Sequence, residues 1–358
     1  INVTRHLHVN LYRGDFFDNT IAAVIPNEES LLLPILAFVS SPDYLEALRA
    51  LDRSLSITEH TLLKVPFDLA YWRRVAADRY PTGLPTGYVC NATQWLFNGN
   101  PQGAEYPLQI AAARLVGYLW PRQTGSSFVG CPALGPDGLE KHADADGIVC
   151  LTPLRGDPPA ADRMTALLSA AFGQEWSAAK LAILLAEVGF EGKSLDDWLR
   201  DGFFVQHCEL LQWRPFVWHI WDGRRDGFHA LLNYHKLSES KGKGKRTLET
   251  LIYTYLGDWI DRQRADQNAS IDGADGRLAA AEHLKGELEK ILVWEPPFDL
   301  FVRWRSLADQ AIGWAPDISD GVRINIRPFM SAKLLGSKAK GACILRVTPK
   351  IKWDKDRG

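Results

Sequence analysis

The sequence contains few cysteines, and their spacing excludes two common roles of that residue. The 358 residues include five cysteines, which are widely separated and form no Cys-X-X-Cys pair. Structural zinc sites need closely spaced ligands, and disulfide frameworks need an even set of thiols. We therefore expect reduced thiols in a cytoplasmic protein, and we assign no metal ligand.

Long apolar runs are missing as well. The longest run, Leu31–Val39, contains Pro34, and it is far shorter than the roughly 20 apolar residues that a transmembrane helix needs. We therefore expect no membrane association. The chain begins with Ile1 instead of Met, and no secretory signal follows, so we expect it to be part of a longer protein.

The chain has no overall basic charge. Its formal net charge is −2 at pH 7, so nucleic-acid binding would have to come from local patches. One such patch is the C-terminal segment Ser331–Gly358, where eight Lys and Arg stand against two Asp, a local charge of +6. The remaining 330 residues therefore sum to −8.

Aromatic residues are concentrated in the stretch Trp213–Lys236. Two runs of strand-forming residues, Phe216–Trp221 and Phe228–Tyr234, flank a turn rich in Asp and Gly, and this pattern predicts a β-hairpin. Arg224 and Arg225 would lie at its tip. Two interpretations remain open, namely a core hairpin with a solvated turn and a docking surface whose arginines contact phosphate.

The remaining pattern predicts an α+β, mostly helical fold. Apolar stretches at Leu7–Leu11 and Ile21–Ile25 are typical of the last strands of a sheet. Apolar residues recur at helical spacing in Thr247–Arg264 and again in Leu278–Ile291, which predicts two amphipathic helices joined by a short loop. The β-hairpin near residues 216–234 completes the predicted architecture.

Several helix starts carry capping residues. Ser41 precedes Pro42, and this pair is typical of an N-cap followed by proline at the first helical position. Asp68 is predicted to cap a helix that includes Trp72. Ser194 followed by an acidic residue three positions later predicts a capping box.

Composition divides the chain into four segments. Residues 1–80 form the first segment, and residues 81–159, rich in Pro and Gly, form a loop-rich connector with one clear helix. Residues 160–330 are predicted to form a helical domain that includes the β-hairpin. Residues 331–358 form the basic tail.

A flexible basic loop, Ser240–Arg246, follows the hairpin. Its glycine spacing does not match a Walker A loop, and it is either a solvated connection or a phosphate contact beside a helix N-terminus. Together with the hairpin tip and the tail, it completes the set of candidate phosphate-binding residues. These are Arg224, Arg225, Lys241, Lys243, Lys245, Arg246, Lys333, Lys338, Lys340, Lys350 and Lys352.

Two groups of potential metal ligands have alternative interpretations. His142–Asp146 alternates polar side chains that suit a divalent ion, or it is a solvated turn. His207, His219, His229 and His235 surround the hairpin. Hydrogen-bonded core histidines explain this second group better than a metal site does, since no defined set of ligands accompanies them.

The motif Trp294–Phe298 invites comparison with a catalytic loop. Amino-group DNA methyltransferases carry Asn, Asp or Ser before Pro-Pro and an aromatic residue, and they act on a flipped base. Here Glu295 occupies the first position, where its length and charge do not fit. No glycine-rich turn that would hold S-adenosylmethionine lies upstream. We therefore assign no catalytic and no cofactor-binding residue.

Seven segments resemble one protein family, the large adenine-specific (N6) DNA methyltransferases of phage-defence systems, which are the type IIG-like enzymes of BREX and DISARM loci. The resemblance spans nearly the whole chain. The segments are Ser40–Tyr44, Leu62–Trp72, Thr93–Phe97, Arg214–Trp218, Gly227–His235, Asp320–Phe329 and Ile351–Arg357.

The resemblance implies that residues 1–80 end a target-recognition domain and that the following helical region clamps duplex DNA. The complete proteins carry an N-terminal Rossmann-like domain for S-adenosylmethionine and an Asn-Pro-Pro-Tyr loop, and this chain contains neither. The implied partners are double-stranded DNA, the missing methyltransferase domain and other subunits of the defence system. An alternative hypothesis is a helical interaction scaffold with no direct DNA contact. The patterns leave open whether the chain is itself an enzyme.

Overall fold

The structure is a computed structural model that divides the chain into two compact units. The first unit holds the described residues up to Tyr80, and the second holds those from Gly99 onward. The described residues are 9, 22–54, 57–80, 99–124, 132–211, 213–239, 242–293, 326–339 and 341–351.

The first unit is helical in its described part. A 3-10 turn at Glu29–Leu31 leads into the first helix. The helices are α1 (Leu32–Val39), α2 (Pro42–Leu51), α3 (Glu59–Leu62) and α4 (Leu69–Arg79). The strand predicted at Leu7–Leu11 lies almost wholly outside the described residues. The described part of the other predicted strand, Ala22–Ile25, is irregular.

The predicted helix caps of the first unit are confirmed. The Ser41 hydroxyl accepts a hydrogen bond from the backbone N–H of Tyr44 at 3.1 Å, and Pro42 follows at the first helical position. The Asp68 carboxylate accepts from the backbone N–H of Tyr71 at 3.0 Å. Each cap satisfies an N–H of the first turn that has no partner within the helix.

An aromatic cluster holds α4 in the first unit. The ring centroid of Phe38 lies 4.7 Å from that of Tyr44 and 5.3 Å from that of Trp72. The Tyr44 hydroxyl donates to the carbonyl of Leu62 at 3.1 Å, and burial raises the pKa of Tyr44 to about 12. Because Trp72 is buried here, one face of α4 is fixed against the core and the other is left to solvent.

The second unit combines helices with one small sheet. Two π-helical segments, Trp198–Gly202 and Thr250–Tyr255, interrupt longer helical stretches. Shorter 3-10 turns lie at Pro121–Thr124, Glu140–His142 and Gly173–Glu175. The elements are α5 (Pro107–Leu115), β1 (Ile148–Cys150), α6 (Ala160–Phe172), α7 (Ala178–Glu187), α8 (Leu195–Asp197), α9 (Phe203–Leu210), β2 (Val217–Trp221), β3 (His229–Asn233), α10 (Tyr234–Leu237), α11 (Lys243–Glu249), α12 (Leu256–Asn268), α13 (Ala274–Val293) and α14 (Arg327–Ser331).

The predicted β-hairpin is confirmed. Strands β2 and β3 pair antiparallel, with Val217 opposite Asn233 and Trp221 opposite His229. β1 pairs with the other edge of β3, so the strand order is β1-β3-β2. Trp218 is fully buried, which assigns the hairpin rings to the core. One three-stranded sheet among many helices in the described residues confirms the mostly helical α+β class.

The segment predicted as a loop-rich connector contributes to the core of the second unit. α5 is the helix expected there, and nearly all of it is buried. β1 was not predicted, because three apolar residues after a Gly-rich stretch show no periodicity. The Asp144 carboxylate fixes the turn before β1, because it accepts hydrogen bonds from the N–H groups of Gly147 and Ile148 at 2.9 and 3.2 Å.

Part of the segment predicted as a basic tail is also core. Cys343, Ile344 and Leu345 are buried, and the carbonyl of Ile344 accepts a hydrogen bond from the backbone N–H of Trp221 at 2.9 Å. The backbone N–H of Arg346 donates to the carbonyl of His219 at 2.9 Å. This segment therefore extends the sheet beyond the edge of β2.

The predicted pair of amphipathic helices is confirmed as α12 and α13, which pack against each other. The capping box is confirmed at Ser194, whose side chain accepts from the backbone N–H of Asp197 while the Asp197 carboxylate accepts from the backbone N–H of Ser194. In the described residues no single helix is long and apolar enough to cross a bilayer, although Glu29–Val39 and Pro42–Leu51 together, bent by 73°, have the required length and composition.

Candidate nucleic-acid interface

The hairpin turn is built around a buried carboxylate. Asp222 accepts hydrogen bonds from the backbone N–H groups of Arg224 and Phe228, at 3.0 and 2.8 Å. Burial raises the pKa of Asp222 to about 6. A side chain at Gly227 would collide with this carboxylate, so glycine is required at that position. The turn is therefore a fixed platform for the two arginines at the tip.

Arg224 is engaged by protein groups. Its Nε and Nη2 donate to the two carboxylate oxygens of Asp226 at 3.0 and 3.1 Å, which is a bidentate pair. Asp226 also lies 3.5 Å from Nη1 of Arg277. The backbone carbonyl of Arg224 accepts from Nε2 of His229 at 2.9 Å. A phosphate would have to displace Asp226 to bind Arg224.

Arg225 is more accessible. Its side chain is 70% exposed, and its Nη2 lies 3.4 Å from Asp197 and 3.3 Å from Asp201. Asp201 is shared with Arg346, whose Nη2 is 3.0 Å away. Exposed ion pairs contribute only about 0–1 kcal/mol. Of the two tip arginines, Arg225 is therefore the one that can exchange its carboxylates for an anion.

The hairpin tip and the C-terminal segment meet along one side of α13. The Arg224 guanidinium lies against Gly276. Nε2 of His283 donates to the carbonyl of Lys333 at 2.9 Å, and the N–H of Lys333 donates to Glu287 at 3.1 Å. At about 100° per residue, positions 276, 283 and 287 form a single stripe on the helix. The exposed side chain of Lys333 thus shares a surface with the tip.

The predicted residues on α11 belong to a different surface. Lys285 lies about 200° around α13 from His283, and its Nζ is 5.6 Å from the ring centroid of Tyr253, in the π-helical segment that continues α11. Lys243 and Lys245 are on α11 itself. The candidate phosphate contacts are therefore split between two flanks of α13.

The α11 cations differ in their partners. Lys243 pairs with Glu239 at 3.2 Å, and Lys245 pairs with Glu249 at 3.7 Å. Arg246 is exposed and has no ion pair among the described residues. Both pairs are exposed and join residues one helical turn apart, so each is weak.

The remaining predicted residues are distributed over the C-terminal segment. Lys338 is exposed. Nζ of Lys350 lies 4.7 Å from the ring centroid of Trp213, a cation–π contact. Lys241, Lys340 and Lys352 lie outside the described residues.

Arg346 is a well-anchored residue that sequence reasoning did not select as a site residue. Its Nε donates to the carbonyl of Arg200 at 3.1 Å, and its guanidinium lies 4.5 Å from the ring centroid of Trp221. With the Asp201 contact, these bonds fasten the C-terminal segment to the hairpin and to α8–α9. Its partners are more than 120 residues away in sequence, so no local pattern identifies it.

Three of the four predicted core histidines, His207, His219 and His229, are confirmed as buried, whereas His235 is half-buried. Because a carbonyl only accepts, His229 donates from Nε2 to Arg224, and its Nδ1 then accepts from Nε2 of His219 at 2.9 Å. His207 bonds Gln109 at 3.1 Å and accepts from Val217. Burial lowers the pKa of His229 to about 4 and that of His207 to about 3, and it also lowers the pKa of His219 well below its usual value.

The candidate metal motif His142–Asp146 is organised as a turn. Beyond its bonds to the start of β1, Asp144 pairs with Arg163 at 3.0 Å. Within the part of the chain that the structure describes, no group of three His, Cys, Asp or Glu side chains is arranged to hold a metal ion.

No protein-family model matches the chain, and no curated protein is significantly similar to it. The resemblance to adenine-specific DNA methyltransferases therefore stays a prediction. Several of its segments, including Thr93–Phe97 and most of Asp320–Phe329, lie outside the described residues, as does the Trp294–Phe298 motif.

Proposed function

We propose that this chain is the C-terminal DNA-binding region of an adenine-specific, S-adenosylmethionine-dependent DNA methyltransferase of a cytoplasmic restriction-modification or phage-defence system. The proposal assigns the chain the role of holding duplex DNA and gives methyl transfer to the rest of the parent protein. In the part of the chain that the structure describes, the sheet is small and antiparallel, whereas nucleotide-type cofactors bind at the carboxyl ends of parallel strands. The described residues therefore offer no such site for S-adenosylmethionine.

The observation that carries the proposal is the meeting of the hairpin tip and the C-terminal segment on one stripe of α13. Arg225 and Lys333 are more than 100 residues apart in sequence, yet both belong to this tip–tail surface. Their backbones are fixed by Asp222 on one side and by His283 and Glu287 on the other. Rigidly mounted cations lose little entropy when they bind phosphate, which favours a docking role.

The present carboxylates hold Arg225 only weakly. Its exposed pairs with Asp197 and Asp201 contribute about 0–1 kcal/mol, so exchanging them for a phosphate costs little. Phosphate contacts fix the register of a protein on the duplex and carry no sequence information. Sequence reading would then belong to the target-recognition domain of the parent protein.

Salt-dependent binding of a labelled duplex tests this proposal. We expect the double variant Arg225→Glu/Lys333→Glu to bind a 20-base-pair duplex more weakly than the wild type, with a salt slope that is less steep by roughly 0.9 per lost contact. Lys141→Glu/Lys193→Glu, which reverses two exposed lysines elsewhere in the second unit, is the matched control. Equal affinities of Arg225→Glu/Lys333→Glu and the wild type would refute the tip–tail surface.

The scaffold hypothesis predicts an exposed apolar patch on the helix pair at residues 247–292, and the described residues there give it little support. In the described residues between 247 and 292, the exposed large apolar side chains are Tyr253 and Ile271. They lie at opposite ends of α12, which is about 20 Å long, and Lys285 covers the ring of Tyr253. Two isolated side chains make no contiguous apolar patch.

A further inference from the structure

Helix α4 of the first unit has one buried and one exposed face. Trp72 and Ala76 are buried in the aromatic cluster. At about 100° per residue, Arg74 points away from them and lies near the centre of the exposed face, with Ala70 and Ala77 on one side of it. All three of these residues are exposed. The small alanines leave the helix surface beside Arg74 open to close approach by another molecule.

Two further side chains border this face. Arg73 lies on one side of Arg74, and Tyr71, which is 45% exposed, lies on the other. Lys64, just before the helix, is a third exposed cation. The exposed face of α4 therefore combines two adjacent guanidinium groups with an accessible aromatic ring.

Neither Arg73 nor Arg74 has an ion-pair partner among the described residues. The nearest carboxylates in sequence are Asp68, which caps the helix, and Asp78. Asp78 follows Arg74 by one helical turn, yet the two side chains form no ion pair. The two guanidinium groups thus offer their donors to solvent while the helix beneath them is fixed by its core contacts.

Phosphate is the ligand that fits two unpaired guanidinium groups, since their donor geometry matches two phosphate oxygens. The eleven residues of α4 span about 16 Å, and a helix with a diameter of about 10–12 Å fits the major groove of B-DNA, which is about 12 Å wide. Tyr71 can contact sugar or base edges from the same face. Duplex DNA is therefore the partner that matches both charge and shape.

We propose that the exposed face of α4 is a second DNA-contacting surface, in which Arg73 and Arg74 bind phosphates of duplex DNA. The inference rests on the proposed DNA-binding function and adds a surface whose residues were not among the candidate phosphate contacts predicted from the sequence. It also explains how the first unit would contribute to holding the duplex.

The test compares Arg73→Ala/Arg74→Ala with the wild-type chain in duplex-binding titrations between 50 and 300 mM salt. Each lost phosphate contact reduces the steepness of the log–log slope by roughly 0.9, so the double variant should be less steep by about 1.8. If the two proteins bind equally at 1 M salt, this slope difference corresponds to a loss of affinity of about 60-fold at 0.1 M salt and about 18-fold at 0.2 M. Arg73→Lys/Arg74→Lys, which retains both charges, should keep the wild-type slope.

Lys141→Ala/Lys193→Ala removes the same number of charges from exposed positions of the second unit and should cost much less affinity. If the wild-type chain does not bind the duplex at 50 mM salt, both the proposed function and this inference are wrong. If the wild type binds and Arg73→Ala/Arg74→Ala behaves as this control does, only the α4 surface is refuted. Equal competition by duplex RNA would contradict the choice of DNA as the partner.

Discussion

The hairpin tip and helix α4 both present two adjacent arginines, but they differ in what surrounds them. At the tip, Arg224 is held by both oxygens of Asp226 and Arg225 faces Asp197 and Asp201. On α4, no described carboxylate pairs with either arginine. The number of basic residues in a segment therefore does not measure its capacity to bind phosphate. The carboxylates that fold against the segment decide how much of that capacity remains.

A fall in pH should change the stability of the two units more unequally than any single substitution does. The buried His207, His219 and His229 have pKa values below the value of about 6.5 that they have in the unfolded chain. Below about pH 6.5 the unfolded chain therefore takes up protons at these histidines before the folded unit does. The free energy of unfolding is highest above that pH and decreases as the pH falls. The pKa of Asp222 is raised, so between pH 6 and 4 the folded unit binds a proton at Asp222 that the unfolded chain does not bind. This offsets the effect of one histidine. The second unit should therefore lose stability as the pH falls from about 6 to about 4, because the unfolded chain binds more protons than the folded unit over that range.

Hydrogen exchange followed by mass spectrometry at pH 7 and pH 5 measures this difference peptide by peptide, after correction for the intrinsic pH dependence of exchange. In the described part of the first unit, the histidine is the exposed His60, and we expect little loss of protection there. Protection should fall mainly in β2 and β3. Equal losses in both units would contradict the assignment of the buried histidines as the cause.

Asp222→Ala should produce the next largest effect. The substitution leaves the backbone N–H groups of Arg224 and Phe228 without their acceptor in a buried turn, and each such group costs about 1–3 kcal/mol. We expect a loss of about 2–4 kcal/mol in the free energy of unfolding, measured by urea denaturation. Asp78→Ala on α4 is the control, because that carboxylate is exposed and should change stability by less than about 0.5 kcal/mol.

Arg346→Ala should have an intermediate effect. It removes the pair with Asp201, the bond to the carbonyl of Arg200 and the contact with Trp221, and we expect a loss of about 1–2 kcal/mol. Because Arg346 then no longer competes for Asp201, the pair between Arg225 and Asp201 should become stronger. Arg225 should therefore bind phosphate slightly less readily. Urea denaturation and duplex titration measure the two consequences separately. A variant as stable as the wild type would show that the C-terminal segment is held by Cys343–Leu345 alone.

Arg73→Ala/Arg74→Ala should have the smallest effect on stability, although its effect on DNA binding should be large. Neither side chain has a described partner to lose, so the free energy of unfolding should change by less than about 0.5 kcal/mol. A loss above about 1 kcal/mol would mean that these arginines support the fold of the first unit. This measurement also shows whether a binding defect comes from the missing contacts or from unfolding.

Local patterns predicted much of this fold. Ser41, Asp68 and Ser194 cap helices as expected, because a cap depends on residues three positions away. The hairpin followed from strand-forming runs on both sides of a Gly-rich turn. The burial of the hairpin histidines followed from their position among apolar strand residues.

Long-range contacts were beyond such patterns. The residues Cys343–Leu345 join the edge of β2 through backbone bonds that any sequence can form, so their composition gave no signal. The carboxylates facing Arg225 come from a helix more than 20 residues upstream. The accessibility of Arg73 and Arg74 depends on which face of α4 the aromatic cluster buries, and this became clear only when Phe38 and Trp72 were located in three dimensions.

The salt dependence of duplex binding by the wild-type chain tests the central claim most directly. If Arg225 and Lys333 both contact phosphates, the logarithm of the binding constant should fall with the logarithm of salt concentration with a slope at least as steep as roughly −1.8, and phosphate contacts of Arg73 and Arg74 would each add about 0.9 to that steepness. A slope near zero, or no binding at 50 mM salt, would contradict the account.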